Sequence, residues 1–328
     1  QTTYHAIART LVPGAESVLS LFWTERPYVC TGFHRPVEEL DQDECRRRGL
    51  PVLRRQLGGG PVYLDADQLL FQVTLPADRA PASVEAAYRA LLGPAVAAFR
   101  RLGLDAALAG TNDICVDGRK LSGTGMARIG DALVCVGNVI LDFDHDAMAA
   151  ILALEPEMRR TFAAVQRRYL TTLRRELGRA VTREEARDAI VASYAEAFGP
   201  LEPSALSAEE ERARDELDVL FESDEWLAGE GGGWVDEVRQ AKVRGGARVY
   251  ATQVERGGAE LRATFAVVDG KLEDIAFASA ALSARLRRRL AAALDGLAAE
   301  REALLRAARA AMRAAAGPLR AEDVVECI

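Results

Sequence analysis

The chain has 328 residues, 49% of them hydrophobic, with 42 Lys+Arg against 49 Asp+Glu and a formal net charge of −7. That length holds one large domain and one small one, and no apolar run reaches the length of a membrane span. Without a basic excess there is no overall counterion release to drive nucleic-acid binding, so nucleic acid is not the expected main partner.

A helix over residues 2–11 comes first, then strands at 17–23 and 28–33, a helical turn at 37–47 and a strand at 51–56 that enters a glycine triplet. Val62-Tyr63-Leu64 forms the next strand, residues 68–75 alternate as another, and Pro76–Pro81 interrupts the pattern. From Ser83 to Leu102 apolar residues recur at helical spacing, with an arginine pair near the end that the helix dipole favours. Strands at 106–109, 112–117, 119–123 and 133–142 follow, giving an α+β fold with a mixed sheet flanked by helices. Residues 145–200 read as mostly helical, with Thr182-x-x-Glu185 as a capping box. Gly229–Gly233 is the expected boundary between a first domain over 1–228 and a second over 234–328. The second reads as strands at 239–244, 247–256, 259–268 and 271–278, with a turn at Asp269-Gly270, then an Ala/Arg/Leu helix or helix pair over 281–315. Its arginines read as a solvated face ahead of a partner surface.

Two segments carry chemistry. In the first, Arg54 and Arg55 lead into Gly58, Gly59 and Gly60, and Pro61 and the strand Val62-Tyr63-Leu64 follow. Glycines expose backbone N–H groups to an anionic or carbonyl ligand, and the arginines add permanent positive charge beside them. Taken alone, such a triplet is a flexible turn between strands. The second segment runs from Gly110 to Gly125 and contains Asn112-Asp113, a hairpin turn at Asp117-Gly118, then Lys120, Ser122 and Gly123. A hairpin of this size brings Asp113 close to Lys120 across the ladder. A solvated surface salt bridge is the plain alternative, but a lone lysine among Gly, Ser and Thr suits a buried point charge that grips a carbonyl and a phosphate. The five cysteines (30, 45, 115, 135 and 327) are scattered with no CxxC pair, so core thiols are expected instead of a disulfide framework or zinc site.

These residues resemble the lipoate–protein ligase A family, within the biotin/lipoate ligase and octanoyltransferase superfamily. Arg54-Arg55-x-x-Gly58-Gly59-Gly60-Pro61-Val62-Tyr63-x-Asp65 resembles that family's Arg-Arg-x-x-Gly-Gly-Gly-Ala-Val core. Pro27 to His34 resembles its preceding strand and glycine turn, and Asn112-Asp113-Ile114 with Gly118-Arg119-Lys120-Leu121-Ser122-Gly123 resembles its lysine hairpin. Gly137-Asn138-Val139-Ile140-Leu141 and Ser223-Asp224-Glu225-Trp226 resemble later segments, so the likeness spans residues 20–226 in family order. Residues 238–277 are similar to the family's small accessory domain.

The resemblance implies a class II synthetase-like core with a small C-terminal α/β accessory domain, and an enzyme that uses ATP and Mg²⁺ to convert lipoate into lipoyl-AMP. The acyl group then passes to a lysine of a lipoyl carrier domain, such as a 2-oxoacid dehydrogenase E2 subunit or a glycine cleavage H protein. It implies that Arg55 contacts the nucleotide and that Gly58, Gly59, Gly60, Pro61, Val62 and Tyr63 present backbone and ring surface to the adenylate. Asn112, Ser122 and Gly123 belong to the same binding set, Lys120 holds both acyl carbonyl and α-phosphate, and Asp113 helps hold Mg²⁺. An acidic carrier implies a locally basic docking surface, and the second domain is expected to open and close over the adenylate. The opening residues show no charged-then-apolar leader, so the cytoplasm is expected.

The chain departs from the family pattern at Leu57, where a small polar residue is usual, at Leu64 and Val136, where histidines are usual, and at Ala127, where an arginine is usual. These changes make the pocket less polar. An octanoyl- or lipoyl-transferase that works through a cysteine thioester is the main alternative. Cys115 lies nearest the lysine hairpin, on the strand face of Asp113 and Asp117, whose carboxylates impair a thiolate. A biotin ligase is disfavoured because its arginines interleave with the glycines, and a non-catalytic lipoate-binding protein is the remaining reading.

Overall fold

The structure, a computed structural model, describes residues 2–229, 239–313, 315 and 317–328. The chain divides into two units: Leu154–Tyr169 joins the residues from Val235 onward in the second, and the remainder forms the first. Of the glycine-rich boundary at Gly229–Gly233, residues 230–233 lie outside the described residues.

The first unit begins with α1 (Thr2–Thr10), β1 (Val18–Trp23), β2 (Tyr28–Thr31) and, after a 3₁₀ turn, α2 (Gln42–Arg47). Then come β3 (Val52–Arg54), β4 (Val62–Leu64), β5 (Gln68–Pro76), α3 (Val84–Arg101), β6 (Ala107–Ala109), β7 (Asp113–Val116) and β8 (Arg119–Gly123). The unit continues with β9 (Gly125–Ile129), β10 (Ala132–Ile140) and α4 (His145–Ala150). The fold is α+β as expected, and among the described residues this unit's strands form three sheets. The largest is antiparallel in the order β1-β5-β10-β9; β3-β2-β4 is the mixed one, with β2 and β3 parallel; β6-β7-β8 is an antiparallel meander. Strand β9 was not anticipated, because Gly125-Met126-Ala127-Arg128-Ile129 is short and weakly alternating; its pairing to β10 settles it.

Alternation gives the largest sheet two faces. Leu69, Phe71, Val73 and Leu75 of β5 join Cys135 and Val139 of β10 in the main core, with α3 residues Leu91, Leu92 and Phe99. Each such large apolar side chain, fully buried, contributes about 1.5–3 kcal/mol of transfer free energy. Gly137 sits where a Cβ would run into the Phe71 ring. The opposite face carries Gln68, Leu70, Gln72 and Thr74 beside Val134, Val136 and Asn138, and α1 lies over part of it.

The region 145–200 is broken into helices, of which α5 (Pro156–Tyr169) belongs to the second unit. Helices α6 (Leu173–Leu177), α7 (Arg183–Phe198), α8 (Ala208–Phe221) and α9 (Asp224–Ala228) complete the first. Thr182 does cap α7 through Glu185 N–H, but the Glu185 carboxylate is engaged by Arg179.

The second unit is an antiparallel meander of β11 (Arg239–Arg244), β12 (Ala247–Arg256), β13 (Ala259–Val268) and β14 (Lys271–Ala278). Asp269 and Gly270 both have positive φ, as a tight type I′ turn demands. The C-terminal segment is a helix pair, α10 (Ala284–Leu294) and α11 (Arg301–Met312), followed by α12 (Ala321–Glu326). Leu290, Leu294, Leu304 and Ala308 pack on Leu261, Phe265 and Leu272. Helix α5 lies against β11, β12 and β13, and Tyr169 O–H donates to Glu273 at 2.8 Å.

Candidate active site

The adjacent arginines have different work. Arg54 is 1% exposed and donates to the carbonyls of Gly32 (3.0 Å), Phe33 (2.8 Å), Arg35 (2.7 Å), Leu227 (2.8 Å) and Ala228 (3.3 Å). It ties the turn after β2 and the end of α9 to β3, and burial pushes its guanidinium pKa down. Trp226 Nε1–H returns a bond to the Arg54 carbonyl at 3.0 Å. Arg55 instead turns along the glycine loop and donates to Cys30 O (3.0 Å), Gly58 O (2.8 Å) and Gly60 O (2.9 Å). Its partners are neutral carbonyls, so its charge stays available to an anion.

Sterics hold the loop in place. A Cβ at Gly32 would sit inside the Gly59 carbonyl oxygen, and Gly59 has φ +97. Phe33 N–H donates to Leu57 O at 2.9 Å, and His5 Nε2, from α1, accepts Gln56 N–H at 3.3 Å. At Gly58 and Gly60 there is open space where a side chain would be, so a ligand can approach the backbone there.

The hairpin β7–β8 turns at Asp117 (φ 47) and Gly118 (φ 73). A bulge between Ile114 and Cys115 shifts the register and lets Lys120 Nζ reach Asp113 Oδ1 at 2.7 Å, with the side chains 16% and 2% exposed. The pair is therefore shielded, unlike the solvated bridge of the plain alternative. Lys120 O accepts Thr171 N–H at 2.8 Å, and Arg119 grips Glu176 at 2.7 Å, which braces the lysine strand from behind. Asn112 Nδ2–H donates to Thr124 O at 2.9 Å, so its amide pins the loop after β8.

A hydrogen-bonded chain joins the two motifs. Gly123 N–H donates to Asn138 Oδ1 (2.8 Å), Asn138 Nδ2–H to Gln68 Oε1 (2.9 Å), and Gln68 Nε2–H to Tyr63 O (3.1 Å) and Asp65 Oδ1 (3.2 Å). Ser122 Oγ lies 3.5 Å from the same Asn138 oxygen. Lys120 Nζ lies beside Gly123, 3.6 Å from where its Cβ would be. Gln68, Asn138 and His5 were not singled out from sequence. A strand glutamine beginning an apolar run, or an asparagine among valines, was the available signal.

Three expectations for individual residues change. Val62 is exposed, whereas Tyr63 is buried on the other side of β4, so the two side chains do not face the same ligand surface. Tyr63 lines a separate pocket of about 430 Å³ with Pro27, Arg47, Arg48, Leu50, Asp144 and Ala147. Burial, helped by Asp65 and Asp144, pushes its phenol up to about 12. Asp113 is committed to Lys120, and no cluster of three or more His, Cys, Asp or Glu suited to a metal occurs among the described residues. Lys120 occupies Asp113 Oδ1, so a Mg²⁺ held there would have to share the carboxylate with the lysine. All five cysteines are buried; burial pushes Cys135 up to about 12 and raises Cys30, which Arg55 partly offsets. Cys115 pairs directly with Lys120 in the ladder, so a cation as well as Asp113 shares its neighbourhood, while Asp117 sits out in the turn.

Of the departures, Leu57, Ala127 and Val136 come together with Tyr4, Ala8, Ile129, Ala132 and Val134 in one apolar cluster. Leu64 does not join them; it packs with Cys30 and Leu70.

Residues 4–195 match the family described as Lipoyl protein ligase A/B catalytic domain. The chain belongs to that family. Among its relatives, Octanoyltransferase LipM of Kyrpidia tusciae is 28% identical over 239 residues, 63% of this chain and 85% of LipM. Lipoate-protein ligase A subunit 1 of Thermoplasma acidophilum is 25% identical over 237 residues, 68% of this chain and 89% of the relative. The solved bi-partite lipoate protein ligase of Thermoplasma acidophilum, studied with its E2 lipoyl domain, has a TM-score of 0.65 at 24% identity, covering 72% of this chain and 92% of that one. The chain is an enzyme of the group that attaches lipoate or octanoate, which holds both ligases and octanoyltransferases. No helix among the described residues is long and apolar enough to cross a membrane.

Proposed function

We propose that the chain is an ATP-dependent lipoate–protein ligase that activates a carboxylic acid as its acyl-adenylate and passes the acyl group to a carrier lysine. What carries this reading is the shielded Lys120–Asp113 pair, joined through Gly123, Asn138 and Gln68 to the strand that ends the glycine loop. ATP supplies the phosphorus that the carboxylate oxygen attacks, and pyrophosphate leaves with the electron pair. Such a reaction asks the protein to hold anions close and to stabilise charge on phosphate and acyl oxygens. Open backbone at Gly58 and Gly60 and the carbonyl-bound Arg55 suit the phosphates, and Lys120 suits the point between acyl carbonyl and α-phosphate. Asp113 holds the ammonium in place until a ligand's oxygens share it. The carrier would be a lipoyl domain, the kind of partner described for the Thermoplasma acidophilum ligase.

A transferase reading has one observation in its favour: Cys115 stands across from Lys120, in a chain with octanoyltransferase relatives. Two assays separate them. The ligase releases pyrophosphate from ATP only when lipoate is present and keeps doing so in Cys115→Ser. The transferase instead moves octanoate from an acyl carrier without ATP and loses that activity in Cys115→Ser; that outcome would overturn the ligase reading.

A further inference from the structure

The second face of the largest sheet carries polar side chains that its packing leaves unsatisfied. Cross-strand register sets Gln72 between Ser20 of β1 and Val136 of β10, and Thr74 between Val18 and Val134. Gln72 is 3% exposed and Thr74 0%, yet Gln72 Oε1 and Thr74 Oγ1 have no hydrogen-bond partner among the described residues. Leaving such an atom unpaired costs on the order of 1–3 kcal/mol, and buried polar groups nearly always find protein, water or ligand. Gln68, on the same strand and face, has both ends of its amide engaged.

Position says what the partner is. Asn138, beside Lys120, begins a file on β10 that continues on the same face through Val136 and Val134, with about 7 Å between successive members. Leu57 adjoins this file: a Cβ at Gly125 would lie 3.7 Å from Val136 Cγ2 and 3.8 Å from Leu57 Cδ2. An acid with its carboxyl at Lys120 and its tail along Val136 would meet the Gln72 amide, the cross-strand neighbour of Val136. At Val136 the family pattern has a histidine; here the polar group stands one strand over, on β5.

We infer that Gln72, supported by Thr74, determines acyl specificity, selecting a medium-chain acid with a thiol or hydroxyl group on its tail over the unsubstituted fatty acid. The inference rests on the acid-activating reading above. The unpaired Gln72 Oε1 accepts, so a thiol or hydroxyl proton satisfies it, whereas a plain hydrocarbon leaves it unpaired and the analogue lacking the donor is penalised.

The test is calorimetric titration of dihydrolipoate, ω-hydroxyoctanoate and octanoate into the full chain, wild type and Gln72→Leu, with ATP-dependent pyrophosphate release measured in parallel. Wild type should bind the heteroatom acids about tenfold or more tightly than octanoate, and Gln72→Leu should bring the ratio near one by strengthening octanoate and weakening the others. An unchanged ratio in Gln72→Leu overturns the inference; if the variant also melts higher, the amide holds only water. Failure of wild type to bind any of the three acids overturns it as well. A shifted ratio without pyrophosphate release from any acid would sink the ligase reading and leave the role of Gln72 standing. Release with an unshifted ratio would do the reverse.

Discussion

Arg54 and Arg55 carry the same charge at adjacent positions, and the burial of Arg54 shows where residue-level reading stops. Neighbours on an extended segment point opposite ways, but only the fold brings Leu227 to Arg54 and turns Arg55 onto Gly58 and Gly60. Lys120 and Asp113 were legible because a tight hairpin fixes which residues face each other, although the bulge that perfects their approach was not. Glu176 adds a brace no motif announced. It takes the Arg119 guanidinium and the Thr171 hydroxyl with its carboxylate 9% exposed, and the Arg119 hydrogen bonds hold its pKa below the ordinary carboxylate range. A carboxylate depressed in the folded state contributes stability above its unfolded value of about 4.3, and loses it as pH falls through the folded value. Wild type should therefore be more stable than Glu176→Gln at pH 7 by denaturant titration, with the gap closing as pH drops below about 4.3. A gap that persists undiminished in acid would show that Glu176 acts by packing alone.

At the scale of elements, alternation and turn chemistry predicted the second unit's strands and the Asp-Gly turns well, because both signals are local. Strand β9 and helices α8 and α9 were missed: the first is too short to alternate, and the others owe their place to distant partners such as Tyr4–His5–Phe221–Trp226 ring contacts. The glycine loop makes a sharp contrast between neighbours in space. Gly32→Ala forces a methyl into the Gly59 carbonyl, so stability should fall by about 1–3 kcal/mol or more together with activity. Gly58→Ala meets open space at a φ that alanine accepts, so the melting temperature should hold while the KM for ATP rises. Equal loss of stability in both variants would contradict this account of the loop.

For the whole molecule, length and composition say nothing of which helix packs with which strands. Helix α5 buries Met158, Phe162 and Val165 at helical spacing, and the strands it lies against come seventy or more residues later, beyond the reach of local pattern. A chain ended at Gly229 keeps α5 without β11–β13, so it should purify poorly and bind hydrophobic dyes. A soluble monomer of wild-type stability would show that α5 does not depend on that sheet. The central claim concerns Lys120, and single-turnover pyrophosphate release from ATP and lipoate, with wild type and Lys120→Ala, tests it most directly. The account predicts lipoate-dependent release in wild type that is lost by a factor of about a hundred or more in the variant, the scale seen when a preorganised transition-state contact is removed. Release that survives in Lys120→Ala, or none in wild type under saturating ATP and lipoate, would contradict it.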